Sequence, residues 1–232
     1  TDGYSVEMVS SSLNEEELIE RIKGVHVLGI RSKTKVTQSV VEAADKLLVV
    51  AAFCIGTTQI DLDACKRNGV VVFNAPFSNT RSVVELALGQ IIMLMRSVFE
   101  RSSEMHNGNW NKTASGSKEV RGKTLGIIGY GNIGKQLSIL AEAMGMRVCY
   151  YDLQDSLALG NAQKVEDLEA LLEQSDVVSL HVDDNPQNKH LIGERELSLM
   201  KKGAYLINLS RGFVVDIDAL AQQLRSGHIA GA

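Results

Sequence analysis

The sequence predicts an α/β protein built on parallel sheets that are wrapped by helices. Apolar runs of strand length alternate with helix-like runs along almost the whole chain. Some strand-like runs, such as residues 47–51, are nearly continuous in apolar residues, as strands covered on both faces require. A glycine-rich turn, residues 129–134, stands between one such run and a helix-like run. Such alternation predicts two α/β domains rather than an all-α or all-β protein.

The first stretch of alternation predicts three helices and four strands. Asn14 is in position to cap a helix over residues 15–22, and Gly69 stands where a helix over residues 60–68 needs a left-handed end. The third helix covers residues 37–46. Strands are expected over residues 4–9, 25–30, 47–51 and 70–73.

A long helix is predicted over residues 81–105, where Ser82 and Glu85 match a capping box. Its apolar residues exceed one stripe, so we expect it to bridge two domains and to contribute to a dimer interface. The following residues, 107–120, are polar and rich in Gly, Ser and Asn, with Trp110 as their large apolar side chain. This shift in composition favours a division into domains at 1–98 and 99–232.

The second half continues the alternation without internal repeats. Helices are expected over residues 132–144, 165–173, 194–200 and 217–226. Strands are expected over residues 125–128, 147–151, 176–181 and 204–209, with the start of another at 228–232.

The composition is that of a globular protein, with 44% hydrophobic and 22% charged residues. Lys and Arg total 24 against 28 Asp and Glu, and the net charge of −4 argues against nucleic acid or an anionic membrane as the main partner. No apolar run reaches the about 18 residues of a membrane span. The three cysteines form no Cys-x-x-Cys pair, and no His or Cys cluster suggests a metal. We therefore expect a cytoplasmic protein with reduced thiols and no metal.

The glycine-rich turn fits the G-x-G-x-x-G pattern of dinucleotide-binding (Rossmann) domains, in the required place between a strand and a helix. Gly129 permits a tight turn, Gly131 lets the backbone approach a pyrophosphate, and Gly134 lets the helix lie close to the strand. The phosphates are then expected at the positive N-terminal end of that helix.

An acid is expected at the end of the next strand, about 20 residues on, and Asp152 stands there. Its carboxylate can accept from ribose hydroxyls and would repel a 2′-phosphate. Leu153 and Gln154, which follow, add no cation to hold such a phosphate. The sequence therefore predicts NAD rather than NADP as the cofactor.

Arg211 and His181 are further candidates because each follows a predicted strand, where open α/β sheets bind ligands. A guanidinium beside the flexible Gly212 could grip a carboxylate with two hydrogen bonds and polarise an adjacent carbonyl. From position alone, Arg211 could equally be a surface residue of a loop. His181 could contact the nicotinamide half of a cofactor or merely end its strand.

Several segments resemble the D-isomer-specific 2-hydroxyacid dehydrogenase family: residues 122–134, 179–182, 189–192 and 200–216. In the first half, residues 29–34, 53–59 and 74–82 are similar to the members that act on 3-phosphoglycerate. The resemblance covers essentially the whole chain. It implies a flavodoxin-like substrate domain followed by a Rossmann cofactor domain, with a cleft that closes and excludes water.

The resemblance implies a reaction and assigns residues to it. The reaction is the NAD-dependent oxidation of 3-phosphoglycerate at C2 to 3-phosphohydroxypyruvate, the first step of L-serine biosynthesis, in a homodimer or homotetramer. Arg211 is expected to hold the substrate carboxylate and carbonyl. Arg31, Ser32 and Asn79 are expected to line the substrate side of the cleft. Cofactor contacts are implied for Asn132, Ile133, Asp152, His181, Val182, Leu209, Ser210 and Arg211, besides the three glycines.

The family's general base is a histidine in a Thr-Pro-His segment, oriented by a glutamate in a Val-Phe-x-x-Glu-Pro segment, and none of the 5 histidines here matches it. We therefore expect both domains to be incomplete and the chain alone to hold a cofactor without catalysis. Side activity on 2-oxoglutarate is compatible with the site, since a second carboxylate mimics a phosphate. Two alternatives stay open: an NAD-sensing binding protein without enzymatic activity, and a dehydrogenase for another 2-hydroxy acid.

Overall fold

The structure, a computed structural model, describes Gly3 and residues 5–232. The chain divides into two compact units, Thr1–Asn79 and Thr80–Ala232. Each unit has helices packed on a parallel sheet, so the predicted α/β architecture is confirmed in both.

The first unit is a three-stranded parallel sheet in the order β1-β2-β3. Its core includes the fully buried Val36, Val40, Val50 and Ala64. Its elements are α1 (Glu15–Arg21), β1 (Val27–Ile30), α2 (Gln38–Ala43), β2 (Val49–Ala52), α3 (Leu62–Arg67) and β3 (Val71–Asn74).

Short polar side chains set the helix starts of this unit. Asn14 caps α1 in a capping box with Glu17, as predicted for that helix, and Thr37 and Asp61 cap α2 and α3. The predicted strand over residues 4–9 is wrong for residues 5–9, which form no strand, while Tyr4 lies outside the described residues. This segment pairs with no neighbouring strand of the sheet.

The second unit is a six-stranded parallel sheet in the order β6-β5-β4-β7-β8-β9. If the strands of this unit are numbered 1 to 6 along the chain, starting at β4, their order across the sheet is 3-2-1-4-5-6. This is the doubly wound arrangement of dinucleotide-binding domains. Its elements are α4 (Thr80–Met95), α5 (Val98–His106), β4 (Thr124–Ile128), α6 (Asn132–Ala143), β5 (Arg147–Tyr151), β6 (Gln163–Lys164), α7 (Leu168–Gln174), β7 (Val177–Leu180), α8 (Glu194–Leu199), β8 (Ala204–Asn208), α9 (Ile217–Arg225) and β9 (Ile229–Gly231).

The single long helix predicted over residues 81–105 is wrong, because the structure has two helices, α4 and α5, bent by 70°. Ser97 stands at the break with φ 54, a left-handed conformation that ends one helix before the next begins. The expected capping box is also absent: α4 already begins at Thr80, and Glu85 binds Arg81 at 2.7 Å. Among the described helices, no single one is long and apolar enough to cross a membrane, although this bent pair meets that test by length and composition.

The boundary between the units falls after Asn79, whereas the sequence favoured a division after residue 98. The physical reason is the packing of α4 against α6 and β8 of the second unit. Val84, Ala87, Ile91 and Met95 of α4 are fully buried in the same apolar cluster as Ile127.

Candidate functional site

Four strand ends lie side by side at one edge of the six-stranded sheet. The parallel register pairs Ile128 with Tyr151 and with Leu180, and Leu180 with Asn208. The order of the sheet reverses between β4 and β7, and ligands of such sheets bind at the carboxyl ends beside that point. The residues that leave the sheet at this edge are the predicted Gly129, Asp152, His181 and Leu209.

The glycine turn after β4 has the geometry that the pattern predicts. Gly129 has φ +92, and a Cβ there would lie 2.6 Å from the carbonyl oxygen of His181. A Cβ on Gly134 would strike the Gly129 carbonyl oxygen. A Cβ on Gly131 would meet nothing within 4 Å, so open space lies above that residue. The turn is therefore closed where it packs and open where a phosphate would approach.

The N-terminus of α6 opens from this turn. Gly131 occupies the cap position without a side-chain hydrogen bond, and Asn132 and Ile133 form the first turn. Uncapped N–H groups and the helix dipole favour an anion here. Ile133 also packs against the apolar cluster of the unit, which holds the first turn in place. These features fit the pyrophosphate of a dinucleotide.

Asp152 is oriented by two backbone donors. The Tyr130 N–H donates to its Oδ2 at 2.6 Å, and the Gln154 N–H donates to its Oδ1 at 2.7 Å. Each carboxylate oxygen can accept another hydrogen bond. A cavity of about 340 Å³ adjoins it, lined by Tyr151, Asp152, Leu153, Lys164, Val165 and Glu166. This arrangement fits a ribose whose hydroxyls bind the carboxylate.

A buried pair of stacked tyrosines, one of them in the glycine turn itself, lies at this part of the sheet edge. The rings of Tyr130 and Tyr150 have centroids 3.7 Å apart and are nearly parallel, and both residues are buried. The Tyr130 hydroxyl lies 2.8 Å from Ser138 Oγ and accepts from the Leu159 N–H at 3.2 Å. The Tyr130 hydroxyl thus ties the turn to α6 and to the segment after β5.

His181 follows β7 and carries no charge at neutral pH, because burial lowers its pKa to about 4. Its Nε2 lies 2.9 Å from Ser179 Oγ, while its buried Nδ1 has no hydrogen-bond partner within the described part of the chain. Buried polar atoms are normally paired. An unpaired ring nitrogen next to the Gly129 turn therefore fits a polar group of a bound cofactor. Val182, the next residue, is half-buried against the core.

Arg211 lies in the loop after β8, and that loop is held by Asn208. The Asn208 Oδ1 accepts from the Ser210 N–H and hydroxyl, and its Nδ2 donates to the Arg211 carbonyl at 2.9 Å. Leu209 packs against the apolar core. The Arg211 Nε lies 3.2 Å from Asp184 Oδ2, in an ion pair that the sequence did not predict.

The predicted substrate residues lie in the first unit. Arg31 and Ser32 directly follow β1, and Asn79 is the last residue of that unit. All three are exposed. That they act on the same substrate as Arg211 stays a prediction.

Two residues of the second unit lie at the candidate site although they were not predicted there. Lys164 lies on β6, a strand of two polar residues without the apolar pattern that indicates strands, and its Nζ binds Asp155 at 3.0 Å. Asp184 belongs to the loop after β7. A signal for Asp184 existed, because acids after one parallel strand and cations after its neighbour meet at one sheet edge.

Comparison with known proteins gives two matching family models. Residues 88–232 match the D-isomer specific 2-hydroxyacid dehydrogenase, NAD binding domain. Residues 1–130 match the D-isomer specific 2-hydroxyacid dehydrogenase, catalytic domain.

Curated relatives are similar over nearly the full chain. The present chain is 56% identical over 230 residues to D-3-phosphoglycerate dehydrogenase of Dictyostelium discoideum, and the match covers 99% of this chain and 56% of the relative. It is 54% identical over 231 residues to D-3-phosphoglycerate dehydrogenase of Escherichia coli, with the same 99% and 56% coverage. The chain thus spans about half the length of these relatives.

Solved structures of the same fold are more distant in sequence. D-2-hydroxyisocaproate dehydrogenase superposes with a TM-score of 0.88 at 31% identity, covering 96% of this chain and 68% of that one. D-lactate dehydrogenase of Aquifex aeolicus, in complex with NAD and lactic acid, gives 0.80 at 30% identity, covering 92% and 65%.

Proposed function

Because this chain belongs to the D-isomer-specific 2-hydroxyacid dehydrogenase family, we propose that it oxidises 3-phosphoglycerate at C2 to 3-phosphohydroxypyruvate. This reaction opens L-serine biosynthesis. The family's NAD-binding domain matches residues 88–232, and NAD is the cofactor. The identity of 54–56% to D-3-phosphoglycerate dehydrogenases supports this substrate over the others of the family.

NAD, when bound, accepts the hydride that leaves C2 of the hydroxy acid. The backbone at Gly131, Asn132 and Ile133 holds the pyrophosphate at the start of α6. Asp152 binds the adenosine ribose and repels a 2′-phosphate. His181 stays uncharged and offers its Nδ1 to a polar group of the cofactor, since burial holds its pKa near 4. Val182, Leu209 and Ser210 line the same edge.

Arg211 performs the step that polarises the substrate. Its guanidinium binds the substrate carboxylate and stabilises the negative charge that develops on the C2 oxygen. The cationic or polar Arg31, Ser32 and Asn79 bind the rest of a substrate that carries two anionic groups. A general base must take the C2 hydroxyl proton, and none of the histidines here is assigned to that role.

The observation that carries the proposal is the shared sheet edge of four paired strands. The glycine turn, Asp152, His181 and the Arg211 loop all follow strands whose last residues are in register. A cofactor site and a carboxylate-binding arginine on one edge suit hydride transfer to or from a small hydroxy acid.

The test is oxidation of NADH by the complete gene product with 3-phosphohydroxypyruvate, beside 2-oxoglutarate and pyruvate. We expect the fastest turnover with the phosphorylated keto acid and slower turnover with 2-oxoglutarate. Faster turnover with an unphosphorylated keto acid would assign another substrate. Bound NADH without turnover on any of them would favour an NAD-sensing binding protein.

We further propose that the protein works in the cytoplasm as a homodimer or homotetramer. The thiols of Cys54, Cys65 and Cys149 are free, which suits a reducing compartment. Val98, Phe99 and Met105 expose apolar surface along α5, which suits an interface between copies. Sedimentation at several protein concentrations tests the oligomeric state.

A further inference from the structure

The ion pair between Arg211 and Asp184 joins two loops at the candidate site. The Arg211 Nε lies 3.2 Å from Asp184 Oδ2, and the Arg211 Nη1 donates to the Ser210 carbonyl at 3.1 Å. Two of the three guanidinium nitrogens therefore contact the protein, Nη1 through a hydrogen bond and Nε through an ion pair. Among the described residues, Nη2 has no such partner.

Each of the two loops is also fixed by its own contacts. On the arginine side, Asn208 binds the backbone of Ser210 and Arg211. On the acidic side, the Asn188 Nδ2 donates to the Asp183 carbonyl at 3.2 Å and to its carboxylate at 2.8 Å. The pair therefore connects two loops that each have hydrogen bonds of their own.

Stability alone is a weak explanation for this pair. The two side chains are 44% and 30% exposed, and ion pairs with that exposure contribute only about 0–1 kcal/mol to folding. Orientation of a catalytic group has a larger effect, because a guanidinium must be fixed in plane to meet a carboxylate and a carbonyl together.

We propose that Asp184 is a positioning residue for Arg211, an inference that rests on the proposed function. The Asp184 carboxylate lies beside Nε in the ion pair and restrains the guanidinium from that side. The Nη2 end stays available for the carboxylate and C2 oxygen of the substrate. Asp184 itself touches neither the substrate nor the cofactor.

Two substitutions separate positioning from simple charge. Asp184→Asn keeps a polar amide beside Nε but removes the negative charge, whereas Asp184→Ala removes both the polar group and the charge. Positioning predicts a graded loss: about threefold lower kcat for the Asn variant and about thirtyfold lower for the Ala variant. If Asp184 merely masked the arginine, both variants would bind anions equally well and more tightly than the unsubstituted protein.

The experiment uses the complete gene product and has a readout besides turnover. Oxalate, a planar dicarboxylate that NADH does not reduce, is titrated into the NADH-loaded protein while the nucleotide fluorescence is followed. We expect oxalate affinity to fall about threefold for Asp184→Asn and about tenfold for Asp184→Ala, with unchanged NADH affinity. Glu169→Ala, which breaks the exposed ion pair with Arg195 between α7 and α8, is the matched control and should change neither.

The outcomes separate this inference from the proposed function. Equal or tighter oxalate binding by both Asp184 variants overturns the positioning role, as does a protein that binds NADH but no oxalate. Absence of turnover with every keto acid overturns the proposed function, yet the graded oxalate affinities still support positioning of Arg211.

Discussion

The three-stranded sheet of the first unit and the six-stranded sheet of the second differ in how their faces are covered. Every residue of β4 and β7 is buried. In β3, by contrast, Val72 is half-buried and the other three residues are exposed, and Phe53 after β2 is 67% exposed. The same βα alternation therefore produces a sheet covered on both faces in one unit and a sheet with an open apolar face in the other.

This difference shows what an apolar run can and cannot predict. The run over residues 47–51 indicates a strand, and β2 forms there. It also predicted cover on both faces, yet Val49 and Ala51 are only half-buried and Leu48 is 59% exposed. Cover depends on which helices pack on each face, and that is a long-range property.

The largest expected effect is the loss of a buried side chain from the covered sheet. Ile127 on β4 is fully buried, whereas Phe73 on β3 is 60% exposed. Ile127→Ala should lower the free energy of unfolding of the second unit by about 4 kcal/mol, because it leaves a cavity. Phe73→Ala should cost the first unit less than about 1 kcal/mol. Native-state hydrogen exchange reports each unit separately, and similar losses in both would contradict the contrast.

A smaller effect is expected from adding a methyl group to a strand glycine in each unit. A Cβ on Gly126 of β4 would strike Ser175 and lie 2.6 Å from a Leu171 methyl carbon in the packed core. A Cβ on Gly29 of β1 would lie 2.9 Å from the ring of Phe53, which is free to swing away. Gly126→Ala should therefore cost about 3 kcal/mol and Gly29→Ala less than about 1 kcal/mol.

Hydrogen exchange of the β4 and β1 amides measures the two glycine effects side by side. A Gly29→Ala variant as unstable as Gly126→Ala would mean that the face beside Phe53 is packed in solution.

Acid should weaken the second unit through His181. Burial lowers its pKa from 6.5 to about 4 in the folded protein, so the unfolded chain binds the extra proton between these values. The contribution of the uncharged ring to the free energy of unfolding is fully present above pH 6.5 and is lost as the pH falls towards 4. The loss should reach about 2 kcal/mol, allowing for partial exposure of the residue. Urea unfolding of the protein and of His181→Gln across this range checks it, since the variant should lack this part of the slope.

The smallest effect is expected from removing the Tyr130 hydroxyl, a buried polar group of the second unit. Tyr130→Phe keeps the ring but removes the hydroxyl that accepts from the Leu159 N–H and meets Ser138. The cost should be about 1 kcal/mol, with faster hydrogen exchange at the Leu159 amide. An unchanged Leu159 exchange rate would show that this hydroxyl does not support the turn.

Much of the fold could be predicted because its signals are local. The apolar runs, the Asn14 cap and the left-handed Gly69 each depend on a few neighbouring residues. The break at Ser97 could not be predicted, because neither Gly nor Pro marks it and the apolar residues continue across it. The strand β6 was missed because its two residues are polar and only pairing with β5 makes them a strand.

The candidate site likewise combines features that follow from local sequence with features that depend on long-range contacts. The glycine turn and Asp152 follow from spacing along the chain, and the structure has the turn and the oriented carboxylate at the expected strand ends. Strand order predicts that the loops of Asp184 and Arg211 meet at one sheet edge, but the pairing of these two side chains also depends on the conformations of both loops. The uncharged state of His181 also depends on burial by residues distant in the chain.

The position of β4 in the sheet affects folding during synthesis, because its two partner strands are synthesised at different times. The backbone of β4 pairs on one side with β5, the next strand in the chain, and on the other side with β7. Just before β7, the Asp176 carboxylate accepts from the Thr124 N–H, which lies 52 residues earlier in the chain. A ribosome adding about 5–20 residues per second needs roughly 3–10 seconds to supply that stretch. During this interval β4, every residue of which is buried in the folded unit, keeps an open edge, a hazard that a chaperone at the ribosomal exit tunnel is suited to cover.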